Sequence, residues 1–207
     1  MGKLKGGEPL MSISLKKGQK VSLSKEKQGL SKVIVGLGWD EVKRSRGGFF
    51  APKPAPIDCD ASALLLQNGR LEGKNDLVFY NHLTHSSKTV RHMGDNLTGA
   101  GEGDDEQIVI DLDCVPAQYD KIVIVVTIYQ ARQRKQHFGL IENAFIRLVD
   151  ARNDQEILKY DLSEDYSGMT AMIFGEIYRY NGEWKFGAIG QGTHDGSIGE
   201  MAERFQK

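Results

Sequence analysis

Apolar residues in this chain occur in short runs that either alternate with polar residues or fill a segment the length of one strand. Residues 107–112 alternate cleanly, with Ile108, Ile110 and Leu112 on one face, which is the period of a half-buried strand. Residues 121–128 (KIVIVVTI) are almost continuously apolar, as expected for a strand covered on both faces. The same criteria predict strands on either side of residues 17–19 and over residues 32–39, 57–66, 76–83, 144–149, 155–162, 171–180 and 183–189.

Turn signals separate these segments. Asn68-Gly69 and Asn181-Gly182 are dipeptides that favour tight hairpin turns, and residues 152–154 join two further strands. Only residues 197–205 predict a helix, and it is short. Because the strands do not alternate with long helices, we expect an all-β fold, a sandwich of two mainly antiparallel sheets with one short C-terminal helix.

Composition narrows the class of protein. The 207 residues carry 27 Lys and Arg against 28 Asp and Glu, so no nucleic acid is expected as a partner. No apolar run is long enough for a membrane helix, and residues 1–11 lack a secretory signal, so we expect a cytoplasmic protein without direct membrane insertion. Cys59 and Cys114 are too few for a disulfide scaffold. We expect residues 1–11 to be a flexible tail and residues 12–207 to form one sandwich domain.

The most unusual segment is residues 94–106, GDNLTGAGEGDDE. It contains four glycines, Asn96, Thr98 and five carboxylates, namely Asp95, Glu102, Asp104, Asp105 and Glu106. Hard oxygen ligands in a glycine-rich loop suit Ca²⁺, which takes about 6–8 oxygens, better than Mg²⁺, which demands stricter geometry. Zinc is disfavoured because the loop has no Cys or His. A solvated acidic turn is the alternative.

This loop is not an EF-hand, although Asp95 and Glu106 stand at the first and twelfth positions of such a loop. The third, fifth and sixth positions are Leu97, Gly99 and Ala100, where an EF-hand has oxygen ligands and then glycine. The flanking segments also predict strands rather than helices. We therefore expect a site to which several loops contribute at the edge of a sheet.

A second pair of carboxylates strengthens this expectation. Asp58 and Asp60 are two residues apart at the start of a predicted strand, so both side chains project from one face. An exposed strand end is the alternative. Together with residues 94–106 they supply more oxygens than one ion needs, so two bound Ca²⁺ ions are predicted. Asp40 and Asn81 are weaker candidates.

Catalytic signatures do not emerge from the local sequence. We find no nucleophile–base pair, phosphate-binding loop or dinucleotide fingerprint. The histidines at positions 82, 85 and 92 lie in a Ser/Thr-rich region and are predicted to be solvated loop residues. The basic residues Arg132, Arg134 and Lys135 indicate either an anion or partner site or, more simply, a solvated loop. We therefore expect the chain not to be an enzyme.

Several motifs together resemble the TerD family of tellurium-resistance and stress-response proteins. They are VIVGLGWD, DCDASA at 58–63, VFYN, GDNLTGAGEGDDEQI, KIVIVVTI, FIRLVD and GEIYRYNGEWKFGAIGQG, and they span residues 12–205. The resemblance implies a β-sandwich that binds two Ca²⁺ ions at one end, in the cytoplasm. The matching positions are Asp58, Asp60, Asp95, Asn96, Asp104, Asp105 and Glu106. Residues 43–57 form a longer loop than expected for the family, which implies a shift in the neighbouring geometry.

The resemblance also implies a role in resistance to tellurite, some phages, colicins and chemical stress. Family members look like binding modules or scaffolds, which implies other resistance-system proteins as partners, including a membrane partner. Our first hypothesis is therefore a calcium-binding scaffold of a stress-resistance system. The alternative is a metal-assisted hydrolase acting on phosphoesters, which needs an open metal position and a placed general base.

Overall fold

Two six-stranded β-sheets make up most of the structure, a computed structural model that describes residues 12–42, 55–94 and 103–206. The expected tail, residues 1–11, lies outside the described residues. In chain order the strands are β1 (Ile13–Leu15), β2 (Lys20–Ser22), β3 (Lys32–Glu41), β4 (Cys59–Leu66), β5 (Leu77–Val78), β6 (Val90–His92), β7 (Glu106–Asp111), β8 (Lys121–Ile128), β9 (Ile141–Asp150), β10 (Gln155–Asp161), β11 (Ala171–Tyr180) and β12 (Glu183–Thr193).

The first sheet has the strand order β1-β10-β9-β3-β7-β6, and the second has the order β2-β12-β11-β8-β4-β5. Strands β1 and β10 pair in parallel, whereas the other described pairs are antiparallel. The predicted all-β sandwich of two mainly antiparallel sheets is thus confirmed.

The core lies between the two sheets and follows the predicted alternation. Ile108 and Ile110 of β7 are fully buried there. In β4, Ala61 and Leu65 face this core, while Leu64 and Leu66 face a second apolar cluster on the outer side of the second sheet. Every residue of β4 is therefore buried, and a strand covered on both faces reads as continuously apolar.

Helices are few and short: α1 (Leu23–Glu26), α2 (Ala131–Arg134) and α3 (Ile198–Glu203), with 3₁₀ turns at Lys74–Asp76 and Phe138–Leu140. The predicted C-terminal helix is α3, and the Ser197 side chain caps it by accepting a hydrogen bond from Glu200 N. The one-turn helices α1 and α2 were not predicted because four residues are too short for helical periodicity. Within the described ranges, no helix has the length and apolar character needed to cross a membrane.

Two strand predictions need correction. Residues 76–83 are not one strand: only Leu77–Val78 pairs with β4, and Phe79 and His82 then close a turn through mutual backbone hydrogen bonds. Strand β6 was missed because three residues within a Ser/Thr/His-rich segment show too little alternation. By contrast, the turns at Asn68-Gly69 and Asn181-Gly182 are confirmed, since all four residues have positive φ.

Candidate metal centre

One end of the sandwich collects the described carboxylates that the sequence singles out. The end of β3, the start of β7 and the start of β4 meet there, because Leu37 pairs with Glu106 and Ala61 N of β4 donates a hydrogen bond to the Glu106 carboxylate. Asp58 directly precedes β4. The antiparallel pairing thus brings residues far apart in the chain to the same edge.

Glu106 links the two sheets at this end. It lies opposite Leu37, which is a core residue, so its side chain points inward toward the second sheet. Its Oε2 atom accepts a hydrogen bond from Ala61 N of β4 at 2.5 Å and lies 3.4 Å from His92 Nε2. A charged acceptor makes such a buried bond stronger than a neutral one.

Asp58 and Asp60 are also withdrawn from solvent. The exposed fractions of Asp58, Asp60 and Glu106 are 7%, 5% and 2%. The backbone of Asp58 accepts a hydrogen bond from Tyr129 N at 2.8 Å, and Asp60 pairs with Thr127. Both carboxylates therefore sit on a rigid strand start rather than at a frayed, solvated end.

Asp105 directly precedes Glu106 at the start of β7. Its backbone N–H donates to Leu37 O at 2.7 Å, and its Oδ2 accepts from Trp39 N at 2.9 Å. Burial raises the pKa of Asp105, with Asp40 and Asp104 adding to the rise and the Trp39 hydrogen bond opposing it. Its charge is thus less stable here than in water, and a nearby cation would favour it.

The pKa of the Cys59 thiol is affected by several of these carboxylates. Burial raises its pKa well above the usual value, and the charges of Asp60, Glu106, Asp58 and Asp105 raise it further. Asp58 and Asp60 are its neighbours in sequence, but Asp105 and Glu106 come from the other sheet. The charges of four carboxylates from the two sheets therefore act on one buried thiol.

Asp104 does not join this group. Its Oδ1 accepts from Arg147 Nε at 2.6 Å, and its Oδ2 accepts from Arg147 Nη2 at 3.1 Å and from Gln107 Nε2 at 3.0 Å. The hydrogen bond to Asp104 raises the pKa of Arg147. Three adjacent carboxylates, Asp104, Asp105 and Glu106, thus have different surroundings.

The remaining predicted ligands, Asp95 and Asn96, lie outside the described residues. Within the described ranges alone, no three His, Cys, Asp or Glu side chains form a group that could hold a metal ion. The donors that do gather are carboxylate oxygens, which is the ligand chemistry of Ca²⁺. The carboxylates of the described residues therefore fit part of a calcium shell, with His92 next to Glu106 and Cys59 between Asp58 and Asp60.

Sequence reasoning misjudged the histidines. His85 and His92 were predicted to be solvated, but both are buried. His92 contacts Glu106, as described above, and His85 Nδ1 contacts Ser87 Oγ at 2.7 Å while its Nε2 lies 3.4 Å from Asp76 Oδ1. Ser87 is a local partner of His85, but no local signal marks the contacts with Asp76 and Glu106, which come from other parts of the chain.

The weaker candidates and the basic segment have other surroundings. Asp40 accepts a hydrogen bond from Asn143 Nδ2 at 2.9 Å, and Asn81 is exposed. Arg132 forms a bidentate ion pair with Glu200, with N–O distances of 2.8 and 2.7 Å, and so ties α2 to α3. Arg134 lies over the ring of Tyr129.

Comparison with known proteins places this architecture in a family. The TerD domain model matches residues 11–205. The chain is 52% identical over 199 residues to "Stress response protein SCP2" of Bacillus subtilis (strain 168), covering 94% of this chain and 100% of that protein. It is 54% identical over 194 residues to "Tellurium resistance protein TerD" of Serratia marcescens, covering 93% and 97%.

A solved structure supports the fold independently. The crystal structure of a homologue of telluride resistance protein (TerD), SCO6318 from Streptomyces coelicolor A3(2), superimposes with a TM-score of 0.60 at 22% identity. The match covers 82% of this chain and 94% of that one. Taken with the domain match over nearly the whole length, these relatives show that the chain belongs to the TerD family.

Proposed function

We propose that this protein is a cytoplasmic, calcium-binding module of a stress-response and tellurium-resistance system, and that it acts by binding partners rather than by catalysis. The names of its relatives, a tellurium resistance protein and a stress response protein, support the biological role. The carboxylates gathered at one end of the sandwich support the calcium role. The partners are other proteins of the resistance system, including one at the membrane.

The observation that carries the calcium proposal is that three buried carboxylates, those of Asp58, Asp60 and Glu106, lie at the same end of the sandwich, where Glu106 accepts a hydrogen bond from the backbone N–H that follows Asp60. Charged groups are costly to bury unless a counter-charge compensates them. These three residues and Asp105 would hold calcium, with Asp95 and Asn96 contributing from the same glycine-rich segment. Ca²⁺ takes about 6–8 oxygens per ion, so this donor set supplies more oxygens than one ion needs, and two ions would share carboxylates or add backbone and water oxygens.

The chain's own contribution is to hold these oxygens in place. Glu106 reaches from β7 to the backbone of Ala61 in β4, and Trp39 N orients the carboxylate of Asp105. Bound calcium would supply positive charge that favours the ionised form of these carboxylates. A surface formed by this end of the sandwich would then depend on calcium, which is the basis for calcium-dependent partner binding.

Calcium-linked thermal unfolding tests the proposal. Each independent site contributes about 2.7 kcal/mol when free Ca²⁺ is 100 times Kd. Two sites therefore raise the melting temperature by about 10–20 °C, given roughly 2–4 °C per kcal/mol for a chain of this size. The double variant Asp60→Asn/Asp105→Asn should melt at the same temperature in EGTA and in millimolar Ca²⁺.

The matched control for this experiment is Asp154→Asn. Asp154 is exposed in the β9–β10 hairpin and has a positive φ, which Asn tolerates. The Asp154→Asn variant should therefore keep the full calcium response of the wild type. Equal melting temperatures of the wild-type protein in EGTA and Ca²⁺ would contradict the proposal. Co-purification with and without Ca²⁺ then tests the partner role.

The hydrolase alternative makes a different prediction. It requires a general base within reach of a metal-bound nucleophile, and the relatives bear the names of resistance and stress proteins. Screening the calcium-loaded protein against generic phosphoesters should give no turnover above that of the Asp60→Asn/Asp105→Asn variant. Turnover that requires both carboxylates would favour the hydrolase.

A further inference from the structure

The outer face of the first sheet holds Asp104 in a built recess. Gly36 of β3 pairs with Arg147 of β9 on one side and with Gln107 of β7 on the other. Paired residues share a face of the sheet, so Arg147 and Gln107 flank the bare backbone of Gly36. The Asp104 carboxylate occupies this gap, and a Cβ at position 36 would overlap it.

The acceptor atoms of Asp104 are engaged in this recess. Arg147 contacts both carboxylate oxygens, and Gln107 contacts the second one. The Asp104 side chain is only 2% exposed, whereas that of Arg147 is 30% exposed. A two-pronged Arg–carboxylate pair fixes orientation as well as charge, so Asp104 is held in one position and orientation.

Fixing Asp104 also constrains the two residues that follow it. Asp105 N bonds to Leu37 O, and Asp105 Oδ2 accepts from Trp39 N. Glu106 then begins β7 with its carboxylate directed at Ala61 N. The outer-face contact therefore sets the point from which the chain turns inward to place two of the proposed calcium ligands.

We propose that Arg147 is a positioning residue for the calcium site, and that Asp104 is the group through which it acts rather than a calcium ligand. This inference rests on the proposed function. Arg147 holds Asp104 on the outer face of the sheet. We call the Arg147–Asp104 pair the latch. The latch keeps Asp105 and Glu106 in position before the metal binds. Partners behind the ligands of a metal site typically change affinity by about 10–100-fold.

Two other roles for the pair predict different calcium affinities. If Asp104 were a ligand, Asp104→Asn would weaken binding and Arg147→Ala would not. If the pair acted only through its charges, Arg147→Ala would tighten binding by leaving an extra negative charge, and Asp104→Asn would weaken it by leaving a positive one. The double variant would then approach the wild-type affinity.

The latch predicts a third pattern, measured by calorimetric titration with Ca²⁺. Arg147→Ala and Asp104→Asn should each weaken binding by about 10–100-fold. The double variant should be no weaker than either single variant, because all three lose the same contact. Unchanged or tighter binding by Arg147→Ala, or a double variant with the wild-type affinity, would overturn the inference.

Gly36→Ala tests the same latch without changing any charge. The added Cβ displaces the Asp104 carboxylate, so calcium affinity should fall as it does in Arg147→Ala. Arg147→Lys keeps the charge but loses the two-pronged contact, and its affinity should lie between those of the wild type and Arg147→Ala. Unchanged affinity in Gly36→Ala would contradict the proposed position of Asp104.

The chain offers a matched control at the C-terminal end of β9, three residues beyond Arg147. Arg152 makes a similar pair with Asp150, through Nε to Oδ1 at 2.9 Å and Nη2 to Oδ2 at 2.7 Å. The Asp150 side chain is fully buried. Arg152→Ala removes a comparable ion pair and should leave calcium affinity unchanged, so a general loss of stability is distinguished from a loss of positioning.

Hydrogen exchange on metal-free protein separates this inference from the calcium proposal. Arg147→Ala should speed exchange of the Asp105 and Trp39 amides by about tenfold or more, since their bonds depend on the latch. Arg152→Ala should not change them. If the wild type fails to bind calcium, the proposed function falls, while unchanged exchange in Arg147→Ala would overturn the latch itself.

Discussion

Replacing Glu106 separates its structural role from its proposed metal role. Its carboxylate both accepts the Ala61 N–H bond and belongs to the carboxylate group near Cys59. Glu106→Ala removes the acceptor and leaves a buried donor without a partner. Glu106→Gln keeps one carbonyl acceptor in a side chain of similar size, removes the charge and replaces the other oxygen with an NH₂ group.

The expected magnitudes differ in metal-free buffer. A buried donor left without its acceptor costs about 1–3 kcal/mol, so Glu106→Ala should lower the free energy of unfolding by roughly 2 kcal/mol. Glu106→Gln should be close to the wild type, because loss of the charged hydrogen bond is offset by relief of repulsion from Asp58, Asp60 and Asp105. These free energies can be measured by urea unfolding in EGTA.

Calcium should separate the stability of Glu106→Gln from that of the wild type. Two sites at 100 times Kd stabilise the wild type by about 5.4 kcal/mol, and the loss of one site leaves at most about 2.7 kcal/mol. The calcium-induced gain of Glu106→Gln should thus be no more than half that of the wild type. A full gain in Glu106→Gln, or equal metal-free stabilities of the Gln and Ala variants, would refute this reasoning.

Two further predictions follow from pKa values. Burial raises the pKa of Cys59, with its carboxylate neighbours adding to the rise. Ellman's reagent at pH 8 should therefore titrate one thiol in the folded protein, that of the exposed Cys114. It should titrate two thiols in urea. The Arg152 hydrogen bond lowers the pKa of Asp150, so the stability from this pair is present above the unfolded pKa of about 3.9 and is lost as the pH falls through the lower folded pKa. Arg152→Ala should therefore be less stable at pH 7 and show a smaller stability loss below about pH 4, as measured by urea unfolding across pH.

The fold was largely predictable because the long strands carry their own periodicity. Apolar and polar residues alternate over residues 107–112, and residues 121–128 are almost continuously apolar. Each segment matches an observed strand. Residues 76–83 were misread because apolar side chains also line a turn when neighbouring elements cover them. Strand β6 was missed because its three residues form a strand by pairing with β7. Such a pairing between separate segments is not visible in the local sequence.

The candidate site was predictable in composition but not in arrangement. Strand alternation predicts that the side chains of Asp58 and Asp60 project from the same face. Both residues are buried. The separate surroundings of Asp104 and Glu106 depend on Arg147, which lies 43 residues from Asp104, and on the pairing of β3 with β7. Such long-range contacts leave no mark in the segment 94–106 itself.

Counting bound ions tests the central claim most directly. Protein stripped with EGTA, exchanged into chelator-free buffer and titrated with Ca²⁺ in a calorimeter should bind two ions per chain. The Asp60→Asn/Asp105→Asn variant should lose this binding, and the Asp154→Asn variant should retain it. A stoichiometry of one would contradict the two-ion site, and no binding by the wild type would contradict the calcium role of this end of the sandwich.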